Sequence, residues 1–384
     1  MQGSEKFMRL ALELAREYKG LTSPNPSVGA VVVKQGKVLS TGAHKYVGAA
    51  HAEVDAISKL TSRQLKGAQL YVTLEPCSTW GKTPPCTDAI KSSGIKRVII
   101  GMHDPNPVNC KKCAKELSPL GIEVEAEDLG GEVAEFYAPY ILNIKEKRPF
   151  VTIKAAQTID GKIALENGAS RWITSKESRR FVHEELRYRA GAVLIGIGTA
   201  QADNPSLTIR IKKQQLAKRK NPLYRVVLDA NLRLNHNSNL AKGVNPFYPL
   251  IVIVSEKINR RKIKGFYRRI EKDFPGKARH IKILPAKQKQ GKIALRPALK
   301  QLYNKFGINE LLVEGGAMVF SSFAKASLMD RAVFCIAPKI LGKGISAFRG
   351  VSFPLKQKKM SIKQVMVLGG DVILDVYRNY PGSN

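Results

Sequence analysis

His51-Ala52-Glu53-Val54-Asp55-Ala56 opens a stretch of helical periodicity. Further on, Gln69-Leu-Tyr-Val-Thr73-Leu-Glu75-Pro76-Cys77 runs out of a strand-like pattern into a cysteine, and Pro84-Pro85-Cys86 brings a second cysteine nine residues later. One imidazole and two thiolates suit Zn2+. Three protein ligands leave a fourth position for water, as in catalytic rather than structural zinc sites. Zinc lowers the pKa of such a water towards about 7, and a carboxylate two residues from the histidine is placed to take its proton and pass it on. The segment therefore assigns His51, Cys77 and Cys86 as zinc ligands and Glu53 as the catalytic proton shuttle. Ligands at the junctions of strand, loop and helix imply an α/β fold.

Outward from this centre, strand-like and helix-like patterns alternate in both directions, the signature of α/β layers. Helices are predicted at Glu5–Tyr18, Ala52–Leu60, Asp88–Ser92, Lys112–Leu117 and Glu132–Ile144. Strands are predicted at Val28–Val33, Lys37–Gly42, Gln69–Leu74, Arg97–Ile100 and Ile122–Glu125. Lys145-Glu-Lys-Arg-Pro149 is polar and ends in proline, where a helix stops, so domains of 1–147 and 148–384 are expected. Strands follow at Phe150–Ala156, Ala192–Ile197, Tyr224–Leu228, Leu250–Val254, His280–Leu284, Glu310–Val313, Ala332–Ile336 and Val372–Tyr377, with helices between them.

Composition narrows the function classes. The chain has 384 residues, 43% hydrophobic and 25% charged, ordinary for a globular protein long enough for two domains. Its longest apolar run, Phe247–Val254, is broken by Pro249 and suits a buried strand rather than a membrane span. The amino terminus lacks the basic flank and apolar core of a signal peptide. Five cysteines are too few for a disulfide framework, and a reducing cytoplasm is the expected compartment. Cys110-Lys-Lys-Cys113 reads as a loop with incidental thiols. The formal net charge of +33 points to an anionic partner, but it is unevenly spread. Residues 1–147 carry 19 basic and 16 acidic side chains, and 148–384 carry 45 and 15. Glu256–Lys300 alone holds 16 basic and 3 acidic residues, without the aromatic interleaving of a single-strand platform. It reads as solvated surface, with RNA contact the alternative.

The second half carries its own polar pattern: Thr152-Ile-Lys154, Thr158-Ile-Asp160-Gly161, Ser170-Arg-Trp172-Ile-Thr174, Arg187, Gly196-Ile-Gly198-Thr199, Asp203-Asn-Pro-Ser-Leu207-Thr-Ile-Arg210 and Glu314-Gly315-Gly316. No Gly-x-Gly-x-x-Gly follows its first strand, so a Rossmann site is not supported. Arg187 and Arg210 are suited to clamp a phosphate, and Gly315-Gly316 at a strand-to-helix junction would offer N–H groups to an anion. Surface arginines and a packing glycine pair fit the same residues.

His-x-Glu followed by Pro-Cys is the signature of zinc nucleobase deaminases. Together with Ser23-Pro-Asn25-Pro-Ser-Val-Gly29, Thr73-Leu-Glu-Pro-Cys77-Ser, Gly81-Lys82-Thr83-Pro-Pro-Cys86 and Asp104-Pro-Asn-Pro107, it resembles the deaminase half of the bifunctional riboflavin-biosynthesis deaminase/reductase family. The motifs of the second half are similar to that family's reductase half, in the same order. The resemblance implies a cytidine-deaminase-like α/β/α domain followed by a dihydrofolate-reductase-like α/β domain. Its cofactors would be Zn2+ and NADPH, and its substrate the phosphorylated diaminopyrimidine 2,5-diamino-6-ribosylamino-4(3H)-pyrimidinone 5′-phosphate.

It further implies that Asn25, His44, Lys82, Thr83 and Asp104 contact the deaminase substrate. Lys154, Ser170, Trp172, Arg187, Leu207, Arg210 and Glu314 would hold the reductase substrate, with Thr158, Thr174, Thr199, Asp203, Gly315 and Gly316 lining the cofactor. A homo-oligomer is expected on the same ground, with no membrane or nucleic-acid partner. A nucleic-acid or other nucleobase deaminase with a basic RNA-binding half is the alternative. Four residues depart from the family: Thr79 stands where it usually has histidine, Lys111 and Cys113 stand where it has glycines, which would reshape that loop, and Thr158 stands where it more often has serine, a change that keeps the hydroxyl.

Overall fold

Strands buried on one or both faces build the fold. The computed structural model describes residues 3–81, 83–127, 129–168, 173–350 and 360–378. The chain divides into two compact units, Met1–Glu146 and Lys147–Asn384.

The first unit is a five-stranded sheet of β1 (Gly29–Lys34), β2 (Lys37–Ala43), β3 (Gln69–Val72), β4 (Arg97–Ile100) and β5 (Glu123–Ala126), in the order β2-β1-β3-β4-β5. β1 is antiparallel to β2 and β3, and β3, β4 and β5 run parallel. Successive side chains of a strand face opposite sides, and helices cover both faces. Val32, Leu70, Val72, Val98 and Ile100 pack with Ala52, Ala56, Ile90 and Leu117. Val31, Val33, Tyr71 and Ile99 pack with Phe7, Met8, Leu12, Val133 and Phe136 on the other side. This is the α/β/α arrangement expected. At Gly42 a Cβ would lie 2.1 Å from the Ala52 carbonyl oxygen and 2.5 Å from the Ala56 nitrogen. The missing side chain lets the helix Ala52–Ile57 lie directly on β2, which sets the depth of Glu53. The expected helix Glu132–Ile144 is two, Glu132–Phe136 and Ala138–Glu146, parted at Tyr137 just before Pro139, whose ring nitrogen has no proton to donate.

The second unit contains β6 (Phe150–Thr158), β7 (Lys162–Ala164), β8 (Ala192–Gly196), β9 (Tyr224–Leu228), β10 (Leu250–Ser255), β11 (Ile281–Ala286), β12 (Gln288–Lys289), β13 (Lys292–Ile293), β14 (Glu310–Val313), β15 (Arg331–Ala337), β16 (Ile345–Ser346), β17 (Met360–Leu368) and β18 (Asp371–Arg378). Nine of these form one sheet, β11-β10-β9-β8-β14-β6-β15-β18-β17. It is parallel from β11 to β15 and antiparallel at β18 and β17. β17 was not expected from the sequence, because its polar, lysine-bearing pattern hides the strand. At the start of the unit, Arg148 is fully buried and forks onto Asp330 at 2.6 and 2.8 Å, while Asp330 also accepts the Val151 N–H. Before β8 an α-helix, Lys176–Phe181, widens into a π-helix over Val182–Arg187, a feature that often marks functional sites. No described helix is long and apolar enough to cross a membrane.

Candidate active sites

Three elements converge on the first site. His51 caps the helix Ala52–Ile57 from an extended conformation, Glu53 is buried in that helix's first turn, and Cys86 is the first residue of the helix Cys86–Ser93. Cys77 follows the loop after β3. Single donor atoms from His51, Cys77 and Cys86 lie within 4.8 Å of one another, with His51 Nδ1 3.1 Å from Cys86 Sγ and 3.6 Å from Cys77 Sγ. This nitrogen and sulfur set fits zinc. Cys77 is the more acidic thiol, because the Cys86 side chain, His51 and the Cys86 N–H all hydrogen-bond to it. Burial pushes the Glu53 carboxyl up to about 7, and the neighbouring Cys77 adds to the rise. That range suits a group that accepts and returns a proton near neutral pH.

His51, Glu53 and Cys77 line a cavity of about 350 Å3 together with Asn25, His44, Thr79, Thr83, Asp104 and Tyr140. His44 Nδ1 donates to the Ala50 carbonyl at 3.1 Å, so its Nε2 accepts from the Asn25 amide at 3.2 Å. Burial keeps this ring neutral by lowering its pKa. Lys82, an expected substrate contact, lies outside the described residues.

Sequence reasoning missed Glu75. Its buried carboxylate accepts the N–H groups of Asp104 at 3.2 Å, Lys111 at 3.0 Å and Cys113 at 3.1 Å, and the His103 ring at 3.1 Å. It therefore ties down the whole loop that bears Asp104. Its place two residues before Cys77 was the available signal. Lys111, the first departure noted in this loop, sits at φ 58°, a conformation glycine adopts freely and lysine does not. Cys113 is buried in the apolar core of the unit.

In the second unit, β14 leads directly into Glu314, whose carboxylate meets Arg187 as a fork, Nε to Oε1 at 2.7 Å and Nη2 to Oε2 at 2.5 Å. Arg187 Nη1 donates to the Thr208 carbonyl at 2.9 Å. Although burial alone would raise it, Glu314 is held down to about 2 by Arg187, with Lys154 adding to the effect. Arg187 is thus committed to Glu314 and to the loop 203–210, and Arg210, whose side chain is exposed, is the arginine open to an anion. That loop holds Asn204 and Leu207 at positive φ. It is further fixed by the Arg210 N–H, which donates to His183 Nδ1 at 3.1 Å.

Gly316 N–H donates to Thr199 Oγ1 at 3.1 Å, and a Cβ on Gly315 would lie 3.1 Å from the Gly196 nitrogen. The turns that open the helices Ile197–Asp203 and Ala317–Lys325 therefore meet backbone to backbone. Two such glycine-rich turns fit the anionic part of a dinucleotide. Thr158 Oγ1 donates to Asp160 at 2.5 Å, and Asp160 accepts the Gly342 N–H at 2.8 Å. Thr174 is buried, and its carbonyl accepts from Arg179. Lys154, Arg187, Arg210 and Glu314 are brought together, and Thr199 joins Gly315 and Gly316. The bonds of Thr158 and Thr174 join other loops, while Ser170 and Trp172 lie outside the described residues.

Comparison with known proteins follows this geometry. Residues 1–102 match the family pattern described as the cytidine and deoxycytidylate deaminase zinc-binding region, and residues 149–374 match the RibD C-terminal domain. The chain is similar to the riboflavin biosynthesis protein RibD of Aquifex aeolicus, 41% identical over 96% of this chain and 97% of that protein. It is also similar to that of Escherichia coli, 31% identical over 96% and 98%. A Thermotoga maritima crystal structure described as a diaminohydroxyphosphoribosylaminopyrimidine deaminase/5-amino-6-(5-phosphoribosylamino)uracil reductase superposes with a TM-score of 0.81 at 36% identity over 98% of each chain. These matches run through both halves and favour the riboflavin reading over a nucleic-acid deaminase. With a zinc-type donor set beside a buried glutamate in one unit and paired glycine turns beside an arginine–glutamate fork in the other, the chain belongs to the RibD family of riboflavin-biosynthesis proteins, with zinc deaminase and NADPH reductase domains.

Proposed function

We propose that this chain hydrolyses the 2-amino group of 2,5-diamino-6-ribosylamino-4(3H)-pyrimidinone 5′-phosphate and then reduces its ribosyl group to ribityl, yielding 5-amino-6-ribitylamino-uracil 5′-phosphate. The observation that carries the reading is Glu53, buried at the edge of the cavity beside His51, Cys77 and Cys86. Zinc held by those three residues would supply an acidified water. Glu53 takes the proton of that water as its oxygen adds to C2, and returns a proton to the nitrogen that leaves as ammonia. Asn25, His44, Thr83 and Asp104, with Lys82, hold the ring and phosphate.

In the second unit NADPH held at the paired glycine turns would supply the hydride equivalent for reduction of the open-chain imine form of the substrate. Lys154 and Arg210, with Ser170 and Trp172, hold that substrate. Arg187 keeps Glu314 anionic and fixed as an acceptor for its hydroxyls, and Leu207 packs the strained loop beneath it. Thr158, Thr174, Thr199, Asp203, Gly315 and Gly316 line the cofactor.

The domains, 1–147 and 148–384 as read from the sequence, carry the two activities in that order. A cytoplasmic location is supported by five free thiols. A homo-oligomer is supported by the outermost strand β17, which exposes Ile362, Val365 and Val367, the kind of edge another copy covers. Mass spectrometry of the products of the zinc-loaded protein, with and without NADPH, tests the reading. Deaminated ribosyl product without NADPH and ribityl product with it are expected, and Glu53→Gln abolishes the first. Deamination that survives both zinc removal and Glu53→Gln overturns the assignment.

A further inference from the structure

Three carboxylates line the deaminase cavity: Glu53, Glu75 and Asp104. Glu53 belongs to the proton path, and Glu75 is consumed by the three N–H groups and the histidine ring described above. Asp104 is therefore the acceptor available for the N–H edge of a pyrimidine. An ionised carboxylate offers about four lone-pair directions, and in Asp104 three are used. Oδ1 accepts the Asn106 N–H at 2.8 Å and the Tyr140 hydroxyl at 3.0 Å, and Oδ2 accepts the Asn109 amide at 2.9 Å.

The Asn109 amide cannot turn over without facing its oxygen to a carboxylate, so its carbonyl points the other way, where the Thr79 hydroxyl donates to it at 2.9 Å. Thr79 belongs to the segment between Cys77 and Cys86, whereas Asp104 and Asn109 belong to the loop after β4. All of them line the cavity. The bridge thus joins the segment that carries two metal ligands to the loop that carries the substrate acceptor, and it directs the last lone pair of Asp104.

We propose that Asn109 is a positioning residue for the deaminase substrate, bridging Thr79 and Asp104 so that Asp104 Oδ2 accepts an N–H of the pyrimidine. The inference rests on the deaminase reading above.

Steady-state kinetics on the zinc-loaded, full-length protein tests it. Loss of one hydrogen bond to a charged group corresponds to about tenfold. Asn109→Ala is expected to raise the deaminase KM about tenfold, with kcat within about threefold and with zinc content and reductase turnover unchanged. Thr79→Val raises KM by a smaller factor, Thr79→Ser restores it, and Thr79→Val with Asn109→Ala is no worse than Asn109→Ala alone. In a Glu53→Gln background, calorimetry with the diaminopyrimidine phosphate reads the same tenfold weakening as Kd. A KM unaltered by Asn109→Ala, additive effects of the two substitutions, or a loss confined to zinc content overturns the proposal. Weakened binding without any wild-type turnover overturns the deaminase reading while the positioning role stands.

Discussion

Arg187 and Glu314, 127 residues apart in sequence, meet as a two-point fork whose side chains are only 14% and 10% exposed. A buried pair of this kind contributes little over an apolar pair, but removing one member leaves the other charged and unpaired. Arg187→Ala is therefore expected to destabilise the reductase unit by about 3–5 kcal/mol, read as a lowered urea midpoint. Arg187→Lys keeps the charge but loses the fork and should fall between. Because Glu314 sits at about 2, the stability it gains from Arg187 is present in full above the usual carboxylate range and lost progressively as pH falls from 4.5 through about 2. Between about pH 5 and 9 the pair adds no slope.

His183 behaves in the opposite region. Burial first, and then the neighbouring Arg187, lower its pKa from 6.5 to about 4, and its Nδ1 must stay unprotonated to accept the Arg210 N–H. The unfolded chain takes up a proton below 6.5 that the folded one refuses until about 4. Stability of this unit is expected to fall as pH is lowered through that window. After discounting for the ring's partial exposure, the loss is about 1 kcal/mol. His183→Gln should flatten the curve of unfolding free energy against pH, and an unchanged slope would show that another group sets it.

Lys111 carries a left-handed backbone without the freedom of glycine. Lys111→Gly relieves roughly 1 kcal/mol of that strain, offset in part by the greater entropy of the unfolded chain. A higher thermal midpoint of the deaminase unit, with deaminase KM unchanged, is the expected result.

Glu75→Gln keeps the shape but turns an N–H2 group towards backbone N–H donors. With three backbone N–H groups and the His103 ring relying on that carboxylate, a loss of at least about 2 kcal/mol is expected. Faster amide exchange at Asp104, Lys111 and Cys113 is the measurement, and protection equal to wild type would refute it.

Chelation should separate the two activities. Removing zinc with a strong chelator is expected to abolish deamination and leave NADPH oxidation intact, since His51, Cys77 and Cys86 all lie in the first unit. Elemental analysis should find one zinc per chain in wild type and a large loss in Cys86→Ser. Equal zinc in both would remove Cys86 from the ligand set.

The ligands were legible because each sits where a local pattern breaks. His51 precedes a helix, Cys77 follows a strand and a proline, and Cys86 begins a helix after two prolines. Core strands such as Leu250–Val254 were legible as unbroken apolar runs, since parallel strands are covered on both faces. β17 was not, because it faces outward with Lys363 and Gln364 among exposed Ile362, Val365 and Val367. Nor were the partners of Arg187, Glu75 and Asn109. Those contacts close between loops that only the finished sheet brings together, so Arg187 was read as a grip on phosphate when three of its N–H groups already hold Glu314 and Thr208. The widening of the helix over Val182–Arg187 likewise leaves no mark in residue periodicity.

The buried fork of Arg148 on Asp330 decides where this gene can be cut. Lys147 begins the second unit, and Arg148, at its very edge, forks onto a buried aspartate that also holds the Val151 N–H. A reductase half expressed from Lys147 keeps the clasp. One begun at Pro149, where the domain pattern starts, takes the Arg148 guanidinium away from the buried Asp330 carboxylate. Separation of the two activities into two polypeptides thus keeps this buried clasp only when the break falls before Arg148.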